Sequence, residues 1–267
     1  MKNLFSVADK TVLVTGGSRG IGEMIAAGFL ANGAKVYISS RKAANCQATA
    51  ERLAGEYGGE CIALPADLSG MDGVSALAAR LGEREKTLDV LVNNAGVSWG
   101  AALGEFPEIG WDKVMDTNVK GVFFLTQALL PLLRAAGTAE SPSRVINIGS
   151  IDGIGKPVFE TYSYGPSKAA LHHLTRLLAA RLVREHILVN AIAPGPFPTW
   201  MLSTGVGFGG KVEGDGVDWS VVGRANPRGR VGTPEDIAGL AMFLASRAGA
   251  YTVGEVITCD GGLLISR

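Results

Sequence analysis

The sequence predicts an α/β protein: one doubly wound parallel sheet of about seven strands with helices on both faces. Three observations predict it. Short apolar, strand-like runs alternate with helical stretches from one end of the chain to the other. The first apolar run passes through a glycine-rich turn straight into a helix. No linker, repeat or low-complexity block breaks the alternation, so residues 1–267 read as a single domain.

The elements follow in order. Val12, Leu13 and Val14 centre a strand at 11–15, and Met24, Ile25, Ala27, Phe29 and Leu30 pattern a helix at 20–32. Further strands are predicted at 35–39, 61–64, 88–92, 144–148, 188–193 and 255–258. Between them fall helices at 43–57, 71–85, 165–185 and 234–246, and two between 108 and 135, where Pro131 predicts a kink. Right-handed crossovers turn such a series into a doubly wound sheet, which binds ligands beyond the carboxyl ends of its strands.

The residues that leave those strand ends carry the chemistry. The first turn reads Thr15-Gly16-Gly17-Ser18-Arg19-Gly20-Ile21-Gly22. Its spacing, Gly16-x-x-x-Gly20-x-Gly22, departs from the GxGxxG form but keeps its context of strand, turn and helix. Glycines admit a pyrophosphate close to the backbone, and the helix start supplies free N–H groups, so the turn predicts a Rossmann-type dinucleotide site. Later strands lead into Asn93-Asn94-Ala95-Gly96, Gly149-Ser150 and Pro194-Gly195. Each alone is an ordinary turn or cap; together they line one crevice.

A dinucleotide fold that selects NAD places a carboxylate after its second strand. Here that neighbourhood reads Ser39-Ser40-Arg41-Lys42, and Arg19 adds a cation from the glycine turn. Hydroxyls and guanidinium groups attract a 2′-phosphate, which predicts NADP(H). The alternative is that Arg41 and Lys42 are solvated residues opening a helix.

Tyr164 and Lys168 stand four residues apart at the start of a helix, on one face. A nearby ammonium lowers a phenol's pKa, and a phenol so tuned exchanges a proton with an alcohol or ketone oxygen. The competing description is two surface residues on a helix.

Composition narrows the class. Twenty-five basic residues balance 25 acidic ones, which gives no electrostatic case for nucleic acid or an anionic membrane. No signal segment and no apolar run long enough to span a bilayer is expected. Cys46, Cys61 and Cys259 are scattered and read as reduced thiols of a cytoplasmic protein. His172, His173 and His186 lack metal-ligand geometry, so no metal is expected.

These residues together resemble the short-chain dehydrogenase/reductase family, in its single-domain branch. The similarity runs from Thr15–Gly22 through Asn93–Gly96, Asn118, Ser150, the Tyr164/Lys168 pair and Pro194-Gly195 to the closing Asp260-Gly261-Gly262. Within the family the chain resembles 3-oxoacyl reductases of the rhamnolipid-pathway kind, through the stretches NNAGVSWGAAL, RVINIGSI and YSYGPSKAALHHLTR. Residues 201–225 fit that subgroup least, and substrate choice is expected there.

The resemblance implies roles. Tyr164 is the general acid in ketone reduction, and Lys168 lowers its pKa and binds the nicotinamide ribose. Ser150 hydrogen-bonds the substrate oxygen, and Asn118 holds a water that relays protons from Lys168. Gly16, Ser18, Arg19, Gly20, Ile21, Gly22, Ser40, Arg41, Asn94, Ala95, Gly96, Pro194 and Gly195 contact the cofactor, as do Tyr164 and Lys168. Thr199 meets its nicotinamide end. Asp67 and Leu68 look like the adenine-contacting pair, although Asp67 equally reads as a helix cap.

The glycine-heavy stretch 203–216 reads as part of a substrate lid around 200–225, or else as an inert surface insertion. Wide apolar arcs on two helices, from Val122 to Leu130 and from Leu171 to Val183, predict a homodimer or homotetramer. Three functions compete. One is NADPH-dependent reduction of a 3-oxoacyl thioester or a similar ketone. A second is the same chemistry on a sugar, polyol, steroid or foreign ketone. The third is a dinucleotide-binding regulator without turnover, against which the full set Asn118, Ser150, Tyr164 and Lys168 argues.

Overall fold

The computed structural model describes residues 2–157, 159–203 and 217–266. Seven strands form one all-parallel sheet in the order β3-β2-β1-β4-β5-β6-β7. They are β1 Thr11–Thr15, β2 Lys35–Ser39, β3 Cys61–Ala63, β4 Val90–Asn93, β5 Ser143–Ile148, β6 Ile187–Pro194 and β7 Val256–Cys259. The order reverses between β1 and β4, which makes their carboxyl ends the switch point where a crevice opens.

Alternation along each strand assigns residues to two cores. Val12, Val14, Val36 and Ile38 face one side. There they pack with Ile25 and Phe29 of α1 (Gly20–Ala31), Leu53 of α2 (Ala43–Tyr57) and Ile237 and Leu244 of α9 (Pro234–Ala245). Leu13, Leu91 and Val145 face the other. They meet Leu77 and Leu81 of α3 (Met71–Arg84), Leu125, Leu129 and Leu133 of α5 (Gly121–Ala136) and Ala179 and Leu182 of α6 (Tyr164–Leu182).

Most differences from the predicted bounds are one residue. The fourth strand begins two residues late because Leu88 N–H donates to the Leu132 carbonyl of α5 rather than to a strand. Helix α5 runs through Pro131 as one element; the carbonyl that the proline leaves unpaired belongs to exposed Gln127. Two short helices, α7 (Trp200–Ser203) and α8 (Trp219–Arg224), are too short to show a period in sequence. Glu108–Ala136, which joins α4 (Glu108–Met115), a widened turn and α5, is long and apolar enough to cross a membrane, contrary to expectation. Its apolar stripe is engaged on the sheet through Leu125, Leu129 and Leu133, as in a core helix.

The apolar excess on α5 and α6 is smaller than predicted. Val122, Leu125, Leu129, Leu171 and Leu182 are buried within the chain, and Leu177 (54 %) and Val183 (36 %) are the exposed members.

Candidate active site

The glycine turn is set by its neighbour loop. Gly16 and Gly20 hold φ of +64° and +57°, a region that side chains disfavour. Asn94 Nδ2 donates to the Thr15 carbonyl (2.9 Å) and the Gly16 carbonyl (3.2 Å). The N–H groups of Asn94 and Ala95 both donate to Thr15 Oγ1 at 3.0 Å. The Asn94 side chain is therefore a strut for the glycine turn. A Cβ on Gly22 would stand 2.3 Å from Asn94 Nδ2 and 2.4 Å from the Gly16 carbonyl oxygen, so the strut and the helix start leave room only for hydrogen.

Beyond β2 the Ser40 hydroxyl is buried with no oxygen or nitrogen partner; the Cys46 thiol is the group it touches. Arg41 lies close enough to Arg19 to lower its pKa, after burial, the larger cause. Glu23, in the first turn of α1, is engaged by Arg52 rather than by Arg19. Two guanidinium groups and a hydroxyl without an oxygen or nitrogen partner thus converge where, among the described residues, no carboxylate neutralises them, which is the donor set of an anion site.

Asp67 is not a helix cap. Its Oδ1 accepts from the N–H (3.1 Å) and Oγ (2.9 Å) of Ser69, and Gly70 occupies the N-cap of α3. The Leu68 side chain belongs to the core. Ile21 packs on the other core, and Ser18 gives its carbonyl to Thr49 Oγ1 (3.1 Å). Pro194 ends β6, Gly195 N–H donates to the Cys259 carbonyl (3.0 Å), and Thr199 stands just before α7 with its methyl group against Gly20.

The second half of the crevice is built from β5 and α6. Ser150 leaves β5 and caps a short turn, its Oγ accepting from Asp152 N–H at 3.1 Å. The same hydroxyl lies close enough to the Tyr164 phenol to act on its pKa. Lys168, 4 % exposed, lies one turn along α6 and donates from Nζ to the Ile148 carbonyl at 2.8 Å. A side chain on Gly96 would press on Asn118 Oδ1 at 3.3 Å and Lys168 Nζ at 3.5 Å, so these three predicted residues meet.

Asn118 sits in a π-type turn, Asp116–Lys120, where Gly121 N–H reaches back five residues to the Asp116 carbonyl. Such widened turns recur at functional sites. Its side chain is fully engaged: Oδ1 accepts from Val97 N–H (2.9 Å), and Nδ2 donates to the Val97 carbonyl and Ser167 Oγ (3.0 Å each).

The electrostatics differ from the sequence expectation. The Tyr164 phenol is pushed up to about 12, first by burial and then by the Asp152 charge; the nearby Ser150 hydroxyl pulls the other way. Burial lowers Lys168 to about 8. The lysine charge does not lower the phenol here because Nζ turns to the Ile148 carbonyl and lies 5.5 Å from the centre of the Tyr164 ring. Desolvation wins over the pair's attraction, and both groups are driven towards their neutral forms.

Sequence reasoning missed His172. It lies on the same face of α6, four residues beyond Lys168, 4 % exposed, with Nε2 unpartnered and against Gly149. Burial and Lys168 hold its pKa down to about 4, so the ring is neutral. The signal was the i, i+4, i+8 spacing from Tyr164; a histidine there reads as a ligand or a core residue until Gly149 and Gly153 are seen packed on it. Among the described residues no cluster of three or more His, Cys, Asp or Glu side chains is arranged to hold a metal.

Comparison with known proteins meets this geometry. A family model described as enoyl-(acyl carrier protein) reductase matches residues 16–264. The chain is a short-chain dehydrogenase/reductase. It is 53 % identical over 262 residues to the rhamnolipids biosynthesis 3-oxoacyl-[acyl-carrier-protein] reductase of Pseudomonas aeruginosa, covering 98 % of this chain and 99 % of that protein. It is 34 % identical to the 5-keto-D-gluconate 5-reductase of Escherichia coli K12 across the full length of both. The solved RhlG/NADP active-site complex of Pseudomonas aeruginosa superposes with a TM-score of 0.89 at 51 % identity, covering 98 % of this chain and 99 % of that one. This short-chain dehydrogenase/reductase thus shares its fold with relatives named for both acyl and sugar substrates.

Proposed function

We propose that this short-chain dehydrogenase/reductase reduces a ketone, best a 3-oxoacyl thioester, to a secondary alcohol with NADPH. The observation that carries the reading is the convergence of the Ser150 hydroxyl, the Tyr164 phenol and, one turn along α6, Lys168 at the sheet's carboxyl edge. The identity to the Pseudomonas aeruginosa reductase supports the thioester.

The residues fit the cofactor. Gly16, Gly20 and Gly22 with the first N–H groups of α1 would receive its pyrophosphate, and Arg19, Ser40 and Arg41 its 2′-phosphate. Asn94, Ala95, Gly96, Pro194, Gly195 and Thr199 border the same crevice. When bound, the nicotinamide supplies the hydride.

The protein's part is orientation and the proton. Ser150 and Tyr164 donate to the carbonyl oxygen as negative charge grows on it. A phenol held protonated by burial is an acid at neutral pH, and it passes its proton to that oxygen. Lys168 as an ammonium restores the phenol, and Asn118 in its widened turn holds the water that links Lys168 to solvent. Residues 200–225 serve as the substrate lid; those from 204 to 216 lie outside the described residues. The working form is a cytoplasmic homodimer or homotetramer, supported by exposed Leu177 on α6 and Val183 in the turn that follows it.

The test is Tyr164→Phe assayed by NADPH absorbance with an acetoacetyl thioester, small ketones and keto-sugars. Turnover is expected to fall about 10²- to 10⁴-fold with NADPH binding retained. Unchanged turnover overturns the assignment. Turnover by the unaltered protein on keto-sugars alone overturns the acyl substrate but keeps the chemistry.

A further inference from the structure

The contact that none of the above uses joins the two sides of the crevice. The Arg19 guanidinium lies over the Trp200 ring, 4.3 Å from its centre. One residue along on each side, the Thr199 methyl group faces Gly20; a Cβ there would meet it at 3.2 Å. Two adjacent residues of the glycine turn therefore touch two adjacent residues of the segment that follows β6.

The ring contact has a definite chemical consequence. A guanidinium held over an aromatic ring by its charge keeps the N–H donors that point away from the ring free for phosphate. Arg41 repels Arg19, and in solution a long cationic side chain would swing away from a like charge. Trp200 opposes that, because the aromatic face attracts the cation and limits its rotamers. Among the described residues no carboxylate does this work: Glu23, the acid in the first turn of α1, is taken by Arg52.

We infer that Trp200 is a positioning residue that holds Arg19 for the 2′-phosphate of NADPH, so that cofactor choice at the adenosine end depends on a residue of the substrate segment. The inference rests on the NADP(H) reading above. It extends the cofactor site to a side chain on the opposite wall. It also makes α7 answer to the phosphate, since an Arg19 drawn onto that anion carries Trp200 with it.

Calorimetric titration with two fragments tests it without turnover. Adenosine 2′,5′-bisphosphate carries the 2′-phosphate, and 5′-AMP lacks it. Trp200→Leu keeps apolar bulk but has no aromatic face, and Trp200→Phe restores the face. A cation–π contact at a partly exposed site is worth about a two- to fivefold change in affinity. Trp200→Leu is therefore expected to weaken the bisphosphate by about that factor, to leave 5′-AMP unchanged, and to be largely rescued by Trp200→Phe. In an Arg19→Ala background the same substitution is expected to have no further effect. Equal loss for both fragments, no loss for either, failure of Phe to rescue, or additive losses in the double variant would overturn the inference. An unaltered protein that binds the bisphosphate no better than 5′-AMP sinks the NADP(H) reading and the inference together. A clear preference in the unaltered protein that Trp200→Leu leaves intact sinks the inference alone.

Discussion

The two halves of the crevice sit on one sheet edge and work by opposite means. The half after β1 and β2 is defined by missing side chains and by exposed cations: Gly16, Gly20 and Gly22 make room, and Arg19 and Arg41 face solvent. The half after β5 is defined by buried titratable groups. Lys168 and His172 are each 4 % exposed, and Tyr164, Lys168 and His172 all have pKa values moved by desolvation first. Binding in the first half is a matter of backbone fit and screenable charge. Chemistry in the second is a matter of dielectric. Substitution, pH and salt should therefore separate them.

The widest separation is expected from Lys168→Met. Methionine fills the site but carries no charge and no donor. The Ile148 carbonyl loses its partner, at a cost of about 1–3 kcal/mol in stability. Turnover is expected to fall by about 10² to 10⁴, while affinity for adenosine 2′,5′-bisphosphate changes less than twofold. Stopped-flow turnover and calorimetry on the same preparation check this. A parallel loss in both would show that the halves are one unit.

The same division governs what the sequence made legible. The sheet and the glycine turn could be read because strand alternation and glycine spacing are local signals; Tyr164 and Lys168 could be placed on one helix face by their spacing, and Ser150 at a strand's end, its expected role coming from the family resemblance. The sign of the Tyr164 perturbation could not. It depends on how deeply the phenol is enclosed, on Asp152 and on where the Lys168 ammonium turns, and these are set by tertiary packing. The strut role of Asn94 was hidden for the same reason: its partners are 78 and 79 residues away in sequence. The packing of His172 on Gly149 and Gly153 and the contact of Trp200 with Arg19 were hidden because each is made with a neighbour contributed by another element.

The second effect in size is a pH dependence of stability. The ordinary lysine pKa is about 10.4, and in the folded chain Lys168 is lowered to about 8. Between those values the unfolded chain binds the extra proton, so this residue's penalty is full below pH 8 and is relieved as pH rises towards 10. Tyr164 acts afterwards: raised to about 12, it makes stability fall above pH 10, where the unfolded phenol ionises. Half-buried Cys61, its thiol raised to about 12 by desolvation, also lowers stability above its ordinary value. The Lys168 contribution is therefore read as a difference. In urea unfolding from pH 7 to 10, the unaltered chain should gain on Lys168→Met by up to about 3 kcal/mol. A flat difference would mean that Lys168 is not desolvated in solution.

Gly22→Ala probes the other half by steric means alone. The added methyl group would meet Asn94 Nδ2 and the Gly16 carbonyl, and one of those is backbone. Relief requires the strut to leave both glycine-turn carbonyls. A loss of about 1–3 kcal/mol in thermal or urea unfolding is expected, with NADPH binding lost while the Tyr164 region keeps its pH behaviour. If NADPH still bound normally, the glycine turn would not be the pyrophosphate cradle.

The smallest effect sharpens the comparison most. Arg41 is exposed, and its removal leaves Arg19 and Ser40 in place. An exposed charge-assisted contact to a 2′-phosphate is worth about 1.5 kcal/mol, so Arg41→Ala should weaken NADPH by roughly tenfold and leave NADH unchanged. Salt then distinguishes the halves in a single titration series. From about 0.1 M to 1 M the screening length shrinks from about 10 Å to about 3 Å. NADPH affinity in the unaltered chain should fall over that range and converge on that of Arg41→Ala. The Lys168 stability limb, produced by desolvation within the protein, should keep its height. Were salt to flatten that limb as well, the ammonium would be in contact with solvent, and the burial that distinguishes the β5 half would be an error.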